Sequence, residues 1–425
     1  MNRLTLFLLS VVAVTTLSAQ KYVGGDISML PKYEEKKAKY YDKDGKLISD
    51  VLLFMKEQGM NAMRVRLFVD PSKAPDEHKG EGVCQDLPYV KDLGKRIKDA
   101  GLAFLLDLHY SDTWTDPGKH STPSSWTATT AEELAQTLYD YTVSTLTELK
   151  EYGAEPDFIQ VGNEITYGQL WPTGHVYPGG GGYVTGNVTG SWDSFYLYIK
   201  KGTEACREVC PDAKVVIHVE MSGQGKNVLP FFNTLKNYNP DYDIIGLSYY
   251  PYYHGDLSKL ETLLGQLRYY YPAKKVQLVE AGYPHAYYPT GNNIFDYTAT
   301  YPGDTEGQRQ FTADLIEKLN KYENVDGLYW WWPEANEKGV NWQNPVTKSG
   351  WYNYGLWDNA TGKAQTALYE LKNFRDDLSS GISEVTSGQQ PGKDNRYYNL
   401  AGQQIAKPSN GVYVYQGRKY VRTER

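Results

Sequence analysis

Two glutamates, Glu164 and Glu280, each end an apolar run of the kind that forms a buried strand. The first run occupies residues 158–164 and the second occupies residues 276–282. Two carboxyl groups on either side of a cleft can hydrolyse a glycosidic bond, because one protonates the leaving oxygen while the other attacks the anomeric carbon. A separation of roughly 5–5.5 Å would give net retention of configuration. The pattern predicts Glu164 and Glu280 as a catalytic pair.

The neighbours of the two glutamates indicate a role for each. Arg66 and Tyr249 lie near the ends of two other predicted strands. A guanidinium and a phenol beside Glu280 would keep it ionised, as a nucleophile requires. Apolar surroundings and the charge of Glu280 would keep Glu164 protonated for use as acid/base. Asn163 is predicted to hydrogen-bond the sugar 2-hydroxyl, a contact that strengthens in the transition state. The alternative for Arg66 is a structural ion pair.

A polar loop and a run of tryptophans supply further candidates for sugar binding. His109, Asp112 and Trp114 follow the third predicted strand and bring hydrogen-bonding groups and an indole into one loop. A metal site at His109 and Asp112 is disfavoured, because their spacing matches no strong zinc signature. Trp331 is the middle of three consecutive tryptophans, at least one of which must point inward on a strand. We predict that its indole forms a floor beneath the reactive sugar, with packing inside the fold as the alternative.

Eight short apolar runs, which alternate with amphipathic stretches, must position these residues. The predicted strands are residues 22–28, 62–68, 102–110, 157–164, 214–220, 243–250, 275–282 and 327–332. The clearest helices between and after them are residues 49–58, 131–152, 193–209, 305–322 and 363–374. This alternation predicts an α/β fold, a closed (β/α)8 TIM barrel. A doubly wound open sheet is disfavoured, because reactive side chains follow nearly every strand and only a barrel brings all those ends to one mouth.

The two ends of the chain depart from this repeating pattern. A positive charge followed by an apolar run predicts an export signal peptide at residues 1–20. The protein would then be periplasmic, cell-surface or extracellular, and no later run is long enough to span a membrane. Residues 379–394 have the composition of a linker, and residues 395–425 alternate short strands with Asn-Gly and Gln-Gly turns. The catalytic domain would therefore occupy residues 21–378, followed by a small C-terminal β appendage.

Composition limits the class of partner. The net charge is -7, so no basic field is present to attract nucleic acid or anionic lipid. The chain has 38 Tyr and 10 Trp, and aromatic rings combine flat apolar faces with polar edges that suit a polysaccharide. An aromatic-rich core is the alternative. Three cysteines cannot form a disulfide framework. Nothing in the sequence requires more than a monomer.

The motifs above resemble those of glycoside hydrolase family 53, the endo-β-1,4-galactanases that cut type I arabinogalactan. The resemblance spans roughly residues 22–375, and its most specific pieces are residues 25–28, 64–66, 109–118, 161–165, 248–251 and 280–284. It implies retaining hydrolysis of β-1,4-linked galactose in pectic side chains without a required cofactor. It also implies that Glu164 is the acid/base and Glu280 the nucleophile.

The chain departs from the family pattern in two places. Trp332 stands where many relatives have an acidic residue, so the floor beneath the scissile sugar is expected to differ. The loop at residues 283–305 lacks the acidic run of the calcium site in some relatives. Asn292, Asn293 and Asp296 offer oxygen atoms, but we do not predict a calcium ion. Residues 395–425 weakly resemble the sorting tails of exported Bacteroidetes proteins.

Two other functions agree with the same residues. A mannanase or cellulase on the same barrel would keep the roles of Glu164 and Glu280 and change only the sugar contacts. A non-catalytic glycan-binding protein is the alternative from another class. It is disfavoured because both glutamates are present, whereas a lapsed enzyme is expected to lose at least one.

Overall fold

The computed structural model describes residues 20–128, 130–221 and 223–374, together with four strands at residues 397–398, 404–405, 411–415 and 418–422. The chain divides into two compact units, residues 1–378 and residues 379–425. Residues 1–19 of the predicted signal peptide and the whole predicted linker lie outside the described residues. No helix in the described part of the chain is long and apolar enough to cross a membrane.

A closed barrel of parallel strands forms the first unit. Its strands are β1 (Tyr22–Asp26), β2 (Ala62–Leu67), β3 (Ala103–Leu108), β4 (Phe158–Val161), β5 (Lys214–Glu220), β6 (Ile244–Tyr249), β7 (Lys275–Ala281) and β8 (Val325–Trp331). Each strand pairs with the strands before and after it in the chain, and β8 closes the ring on β1. The predicted TIM barrel is confirmed, and the open sheet is excluded.

Helices connect the strands on the outside of the barrel. The main ones are α1 (Val51–Glu57), α2 (Leu87–Asp99), α3 (Ala131–Tyr152), α4 (Trp192–Val209), α5 (Val228–Lys236), α6 (Leu257–Tyr270), α7 (Thr305–Leu319) and α8 (Thr366–Glu370). Shorter helices lie at Leu30–Glu35, Asp76–Glu81 and Pro251–His254, with 3-10 turns at Pro71–Lys73, Ile165–Tyr167, Gly350–Tyr354 and Leu371–Phe374. Local signals set the ends of α3, which begins with a capping box between Thr130 and Glu133 and ends at Gly153 with a φ of 86°.

The interior of the barrel is filled by side chains, as expected for eight strands. One buried cluster takes a residue from each of seven strands: Ala62, Leu105, Phe158, Val216, Ile244, Val279 and Tyr329. Tyr22 of β1 packs against the same cluster. Because this apolar layer fills the barrel, polar side chains gather above it at the carboxyl ends of the strands.

The second unit contains a small antiparallel sheet. Its strands run in the order Gln404–Ile405, Tyr397–Tyr398, Gly411–Tyr415 and Arg418–Arg422. The sequence predicts strands at residues 397–400, 411–415 and 419–422, and three of the observed strands overlap them, whereas Gln404–Ile405 is not predicted. The sorting role of this segment stays a prediction.

Candidate active site

The carboxyl ends of the strands surround a cleft of about 650 Å³. Glu164, just after β4, and Glu280, on β7, both line it. Four of the predicted sugar-binding residues also line the cleft: Asn163, His109, Trp114 and Trp331. The other three predicted binding residues are not among the described lining residues: Arg66, Asp112 and Tyr249.

A local irregularity of β7 directs Glu280 into the cleft. Leu247 of β6 pairs with Leu278, but Ser248 pairs with Glu280, so Val279 is passed over. The pairing of β7 with β8 shifts at the same place. A bulge changes the direction of a side chain that strict alternation would fix, and here it allows Val279 to join the apolar layer while Glu280 faces the cleft.

Glu280 is 6% exposed and is bound by two groups that favour its charged form. Arg64 Nη2 lies 2.9 Å from Glu280 Oε1, and the Tyr250 hydroxyl donates to Oε2 at 3.0 Å. Burial raises the pKa of Glu280 to about 7, and Arg64 acts in the opposite direction. The site therefore holds a buried carboxylate with a fixed counter-charge, an arrangement that suits an enzymatic nucleophile.

Arg64 connects Glu280 to other buried polar side chains of the barrel. Its Nη1 donates to Asp26 at 2.8 Å, and its Nη2 donates to Asp107 at 2.7 Å and to Asn163 Oδ1 at 2.9 Å. The side chain is fully buried. Because a guanidinium offers donors in a rigid planar fork, these contacts fix the orientation of Arg64 and, through it, that of Glu280.

The predicted contact between Arg66 and Glu280 is wrong, because Arg64 makes it instead. Arg66 pairs with Asp26 at 2.8 Å, and its guanidinium lies 4.6 Å from the Trp114 ring and 5.1 Å from the Trp331 ring. Residues two apart on a strand share a face, so both arginines point inward at different heights, and the lower one reaches Glu280. The structural ion pair that sequence analysis kept as an alternative is what the structure shows.

The predicted contact between Tyr249 and Glu280 is also wrong, because the next residue, Tyr250, makes it. The Tyr249 hydroxyl donates to the carbonyl of Gly255 at 2.9 Å, and its ring stacks on Phe311 of α7. Successive strand residues point to opposite faces, so Tyr249 faces the helices while Tyr250, just past the end of β6, turns into the cleft.

We expect Tyr250→Phe to move the acid limb of kcat/KM to higher pH by about one unit. The lost hydrogen bond stabilises the charged form of Glu280, so its removal raises the pKa of Glu280. Glu280 must be ionised to act as a nucleophile. With a higher pKa it ionises at a higher pH, and the rise in activity moves with it. The measurement is a pH profile of kcat/KM. Tyr249→Phe is the matched control and should leave the acid limb in place; equal shifts in both variants would contradict the assignment.

Glu164 occupies a tight turn in a different environment. Its φ is 49°, uncommon for a residue other than glycine, and Gly162 before it has a φ of 88°. A Cβ at Gly162 would lie 2.3 Å from the side-chain oxygen of Gln169. Burial raises the pKa of Glu164 well above its usual range, and the negative charges of Glu280 and Glu220 raise it further. Glu164 is therefore held protonated, the state required of a general acid.

The polar residues around the reactive centre are held in one orientation. His109 Nδ1 accepts from the Thr115 amide at 3.2 Å, and its Nε2 lies 3.0 Å from Asp107. Asn163 donates to the Thr115 carbonyl at 2.8 Å. One amide hydrogen of Asn163 is accounted for by this contact, which leaves the second for a sugar hydroxyl in the cleft.

Asp112 has a role in the loop instead of the predicted role in the cleft. Its carboxylate accepts from the amide and the hydroxyl of Ser124 at 2.8 and 2.7 Å and from the amide of Asp70 at 3.2 Å. These contacts join the loops that follow β2 and β3. The carboxylate is occupied by two backbone amides and one hydroxyl, so its polarity serves the fold of the loop.

Two tryptophans form one wall of the cleft. Trp331 and Trp332 stack with their ring centroids 5.6 Å apart, and Trp351 packs edge-on to Trp331. Trp332 is the residue that departs from the family pattern, and it lines the cleft beside its neighbour. This wall places flat apolar surface next to the carboxyl groups.

Several residues of the site were missed from sequence. Tyr250 directly follows the selected Tyr249, and the alternation of strand faces was the available signal for it. Arg64 shares a face with the selected Arg66, so only its lower position on the strand distinguishes it. Glu220 ends β5 and lines the cleft, and a glutamate that ends an apolar strand is the same signal that identified Glu164 and Glu280. Tyr167, which also lines the cleft, lies in a turn that no periodic pattern reveals.

The loop after β7 contains the residues that were considered for calcium. Asp296 accepts from the amide and the hydroxyl of Thr298 at 2.9 and 2.7 Å, and Asn293 lines the cleft. Among the residues that the structure describes, no three His, Cys, Asp or Glu side chains are grouped closely enough to hold a metal ion.

Comparison with known proteins gives a consistent result. The model for glycosyl hydrolase family 53 matches residues 22–371. An arabinogalactan endo-β-1,4-galactanase of Cellvibrio japonicus is 31% identical over 371 residues, covering 84% of this chain and 90% of the relative. Arabinogalactan endo-β-1,4-galactanase A of Aspergillus niger is 29% identical and covers 77% and 89%. The family 53 catalytic domain of Ignisphaera aggregans superposes with a TM-score of 0.72 at 30% identity, covering 85% and 98%.

Proposed function

This chain belongs to glycosyl hydrolase family 53, and on that premise we propose that it hydrolyses internal β-1,4-galactosidic bonds of type I arabinogalactan with net retention. The observation that carries the proposal is the pairing of two unlike carboxyl groups in one cleft. Glu280 is bound by Arg64 and Tyr250, and Glu164 is held protonated by burial and by nearby negative charge. Relatives named as galactanases support the choice of galactan.

In the first step the Glu280 carboxylate attacks the anomeric carbon while Glu164 donates its proton to the glycosidic oxygen. The bond to the leaving sugar breaks as the ester to Glu280 forms. The ester has no charge, so one of the groups that raise the pKa of Glu164 is removed at this point. Glu164 is then a base suited to take a proton from water, which attacks the same carbon and releases Glu280.

The walls of the cleft are proposed to hold the reactive sugar. The indoles of Trp331 and Trp114 offer faces to its C–H groups, while Asn163 and His109 supply polar edges. Arg66, which stacks on both indoles, then acts by positioning them. The substitution of an indole for an acidic residue at Trp332 extends the apolar wall.

A polymeric substrate cannot enter the cell intact, so we propose that the chain acts after export, directed by residues 1–20. The described residues contain a cleft within one barrel, which supports action as a monomer.

The direct test is product analysis after incubation with β-1,4-galactan, galactomannan, xylan and carboxymethyl cellulose separately. We expect short galacto-oligosaccharides from galactan alone, and proton NMR should show that the β-anomer forms first. Cleavage of another glycan would replace the substrate and keep the mechanism. An α-anomer would overturn retention, and no cleavage of any polymer would favour a binding protein.

A further inference from the structure

Glu220 is a third carboxylate in the cleft, and the reaction described above gives it no contact with the substrate. It ends β5, lines the cleft with Glu164, and is only 3% exposed. The hydroxyl of Thr166 donates a hydrogen bond to its Oε2. Thr166 lies in the 3-10 turn directly after Glu164, so this contact fixes the Glu220 carboxylate against the segment that carries the proton donor.

Tyr167 borders the same part of the cleft. Its hydroxyl accepts from Asn227 Nδ2 at 3.0 Å, and its ring packs edge-on to Tyr183 with centroids 6.3 Å apart. Tyr183 itself belongs to a column of face-to-face rings with His175 and Tyr177, at centroid distances of 3.9 and 3.7 Å. The hydroxyl and the ring of Tyr167 each have a contact, which holds the side chain where it lines the cleft.

The order of strands around the barrel decides which part of the substrate these residues meet. Glu164 and Tyr167 follow β4 and Glu220 ends β5, whereas Glu280 is on β7. The proton donor contacts the glycosidic oxygen from the side of the leaving sugar, and the nucleophile contacts the sugar that stays attached. The β4 and β5 side of the cleft therefore faces the leaving group.

We propose that Glu220 and Tyr167 form the binding site for the leaving-group galactose, with the carboxylate accepting hydrogen bonds from its hydroxyls and the ring covering its C–H face. The inference rests on the proposed function. Hydrogen bonds to a charged acceptor are stronger than neutral ones, and pre-ordering by Thr166 and Asn227 reduces the entropy lost when the sugar binds. The same site receives an acceptor sugar when the glycosyl-enzyme transfers to a saccharide in place of water.

The test uses that second role. The enzyme is supplied with a nitrophenyl β-galactobioside as donor and with reducing-end-labelled β-1,4-galactobiose, below saturation, as acceptor. Released nitrophenol counts every turnover, and labelled tetrasaccharide counts the transfers. Water and acceptor both give their proton to Glu164, so the fraction transferred reports acceptor binding and is independent of the strength of that base.

We expect Glu220→Gln to lower the transferred fraction about tenfold, as loss of a hydrogen bond to a charged group does. Tyr167→Ala should lower it in the same direction, and it carries the test if Glu220→Gln fails to fold. Glu148→Gln, an exposed glutamate on α3, is the control and should change neither product. A transferred fraction equal to that of the wild type in both cleft variants would overturn the proposal. Failure of the wild type to cut galactan would instead overturn the proposed function.

Discussion

Replacement of Glu280 by glutamine is expected to reduce turnover of galactan by on the order of 10⁵-fold or more, the scale on which loss of an enzymatic nucleophile acts. The amide has the shape of the carboxyl group but cannot form the ester that divides the reaction into two steps. Arg64 stays paired with Asp26 and Asp107, so the buried ion pairs beneath the cleft should be kept. The affinity for galactan is therefore expected to stay within a few-fold of the wild type.

The measurement for Glu280→Gln combines turnover with affinity electrophoresis in gels that contain galactan. Glu334→Gln is a matched control, because Glu334 is fully buried outside the cleft lining and burial raises its pKa to about 8. It is largely neutral already near pH 7, and its Oε1 accepts from the Met29 amide, which a glutamine oxygen can also do. Loss of binding together with turnover in Glu280→Gln would indicate a structural role.

The parts of the molecule that could be predicted from sequence are those that a repeated residue pattern specifies. Buried strands and the polar residues that follow them recur eight times, which is enough to give the barrel and to place Glu164 and Glu280 at one mouth. The aromatic wall followed from the same logic, because a tryptophan at the end of a strand has only two directions in which to point.

The errors concern residues near the end of a strand or in the loop that follows it. Arg66 and Tyr249 were selected where Arg64 and Tyr250 make the contacts, and Asp112 was assigned to the cleft when it anchors a loop. At a strand end the backbone leaves regular geometry, and the bulge at Val279 shows that a single inserted residue reverses which side chain faces inward. A pattern with a period of two cannot resolve such a change, although it locates the strand itself.

Removal of Glu164 should separate substrates by their leaving groups. Glu164→Ala is expected to lower kcat/KM on galactan by about 10²–10⁴-fold, the contribution of a positioned general acid. Formation of the glycosyl-enzyme from a nitrophenyl galactobioside should be slowed far less, since a good leaving group needs little protonation. Hydrolysis of the ester becomes the slow step, because the attacking water no longer has a base. A pre-steady-state burst of nitrophenol should therefore appear. Azide, which needs no base, should speed the steady state and give a β-galactobiosyl azide.

The pH profile of activity tests independently whether Glu164 is the general acid. Burial and the charges of Glu280 and Glu220 raise the pKa of Glu164 in the folded enzyme, and the group acts while protonated. Activity of the wild type on galactan therefore falls as the pH rises through that pKa, and Glu164→Ala should lose this alkaline limb while keeping the acid limb that belongs to Glu280. Equal losses on galactan and on the aryl substrate, or an alkaline limb that survives the substitution, would assign the proton donor to another residue of the cleft.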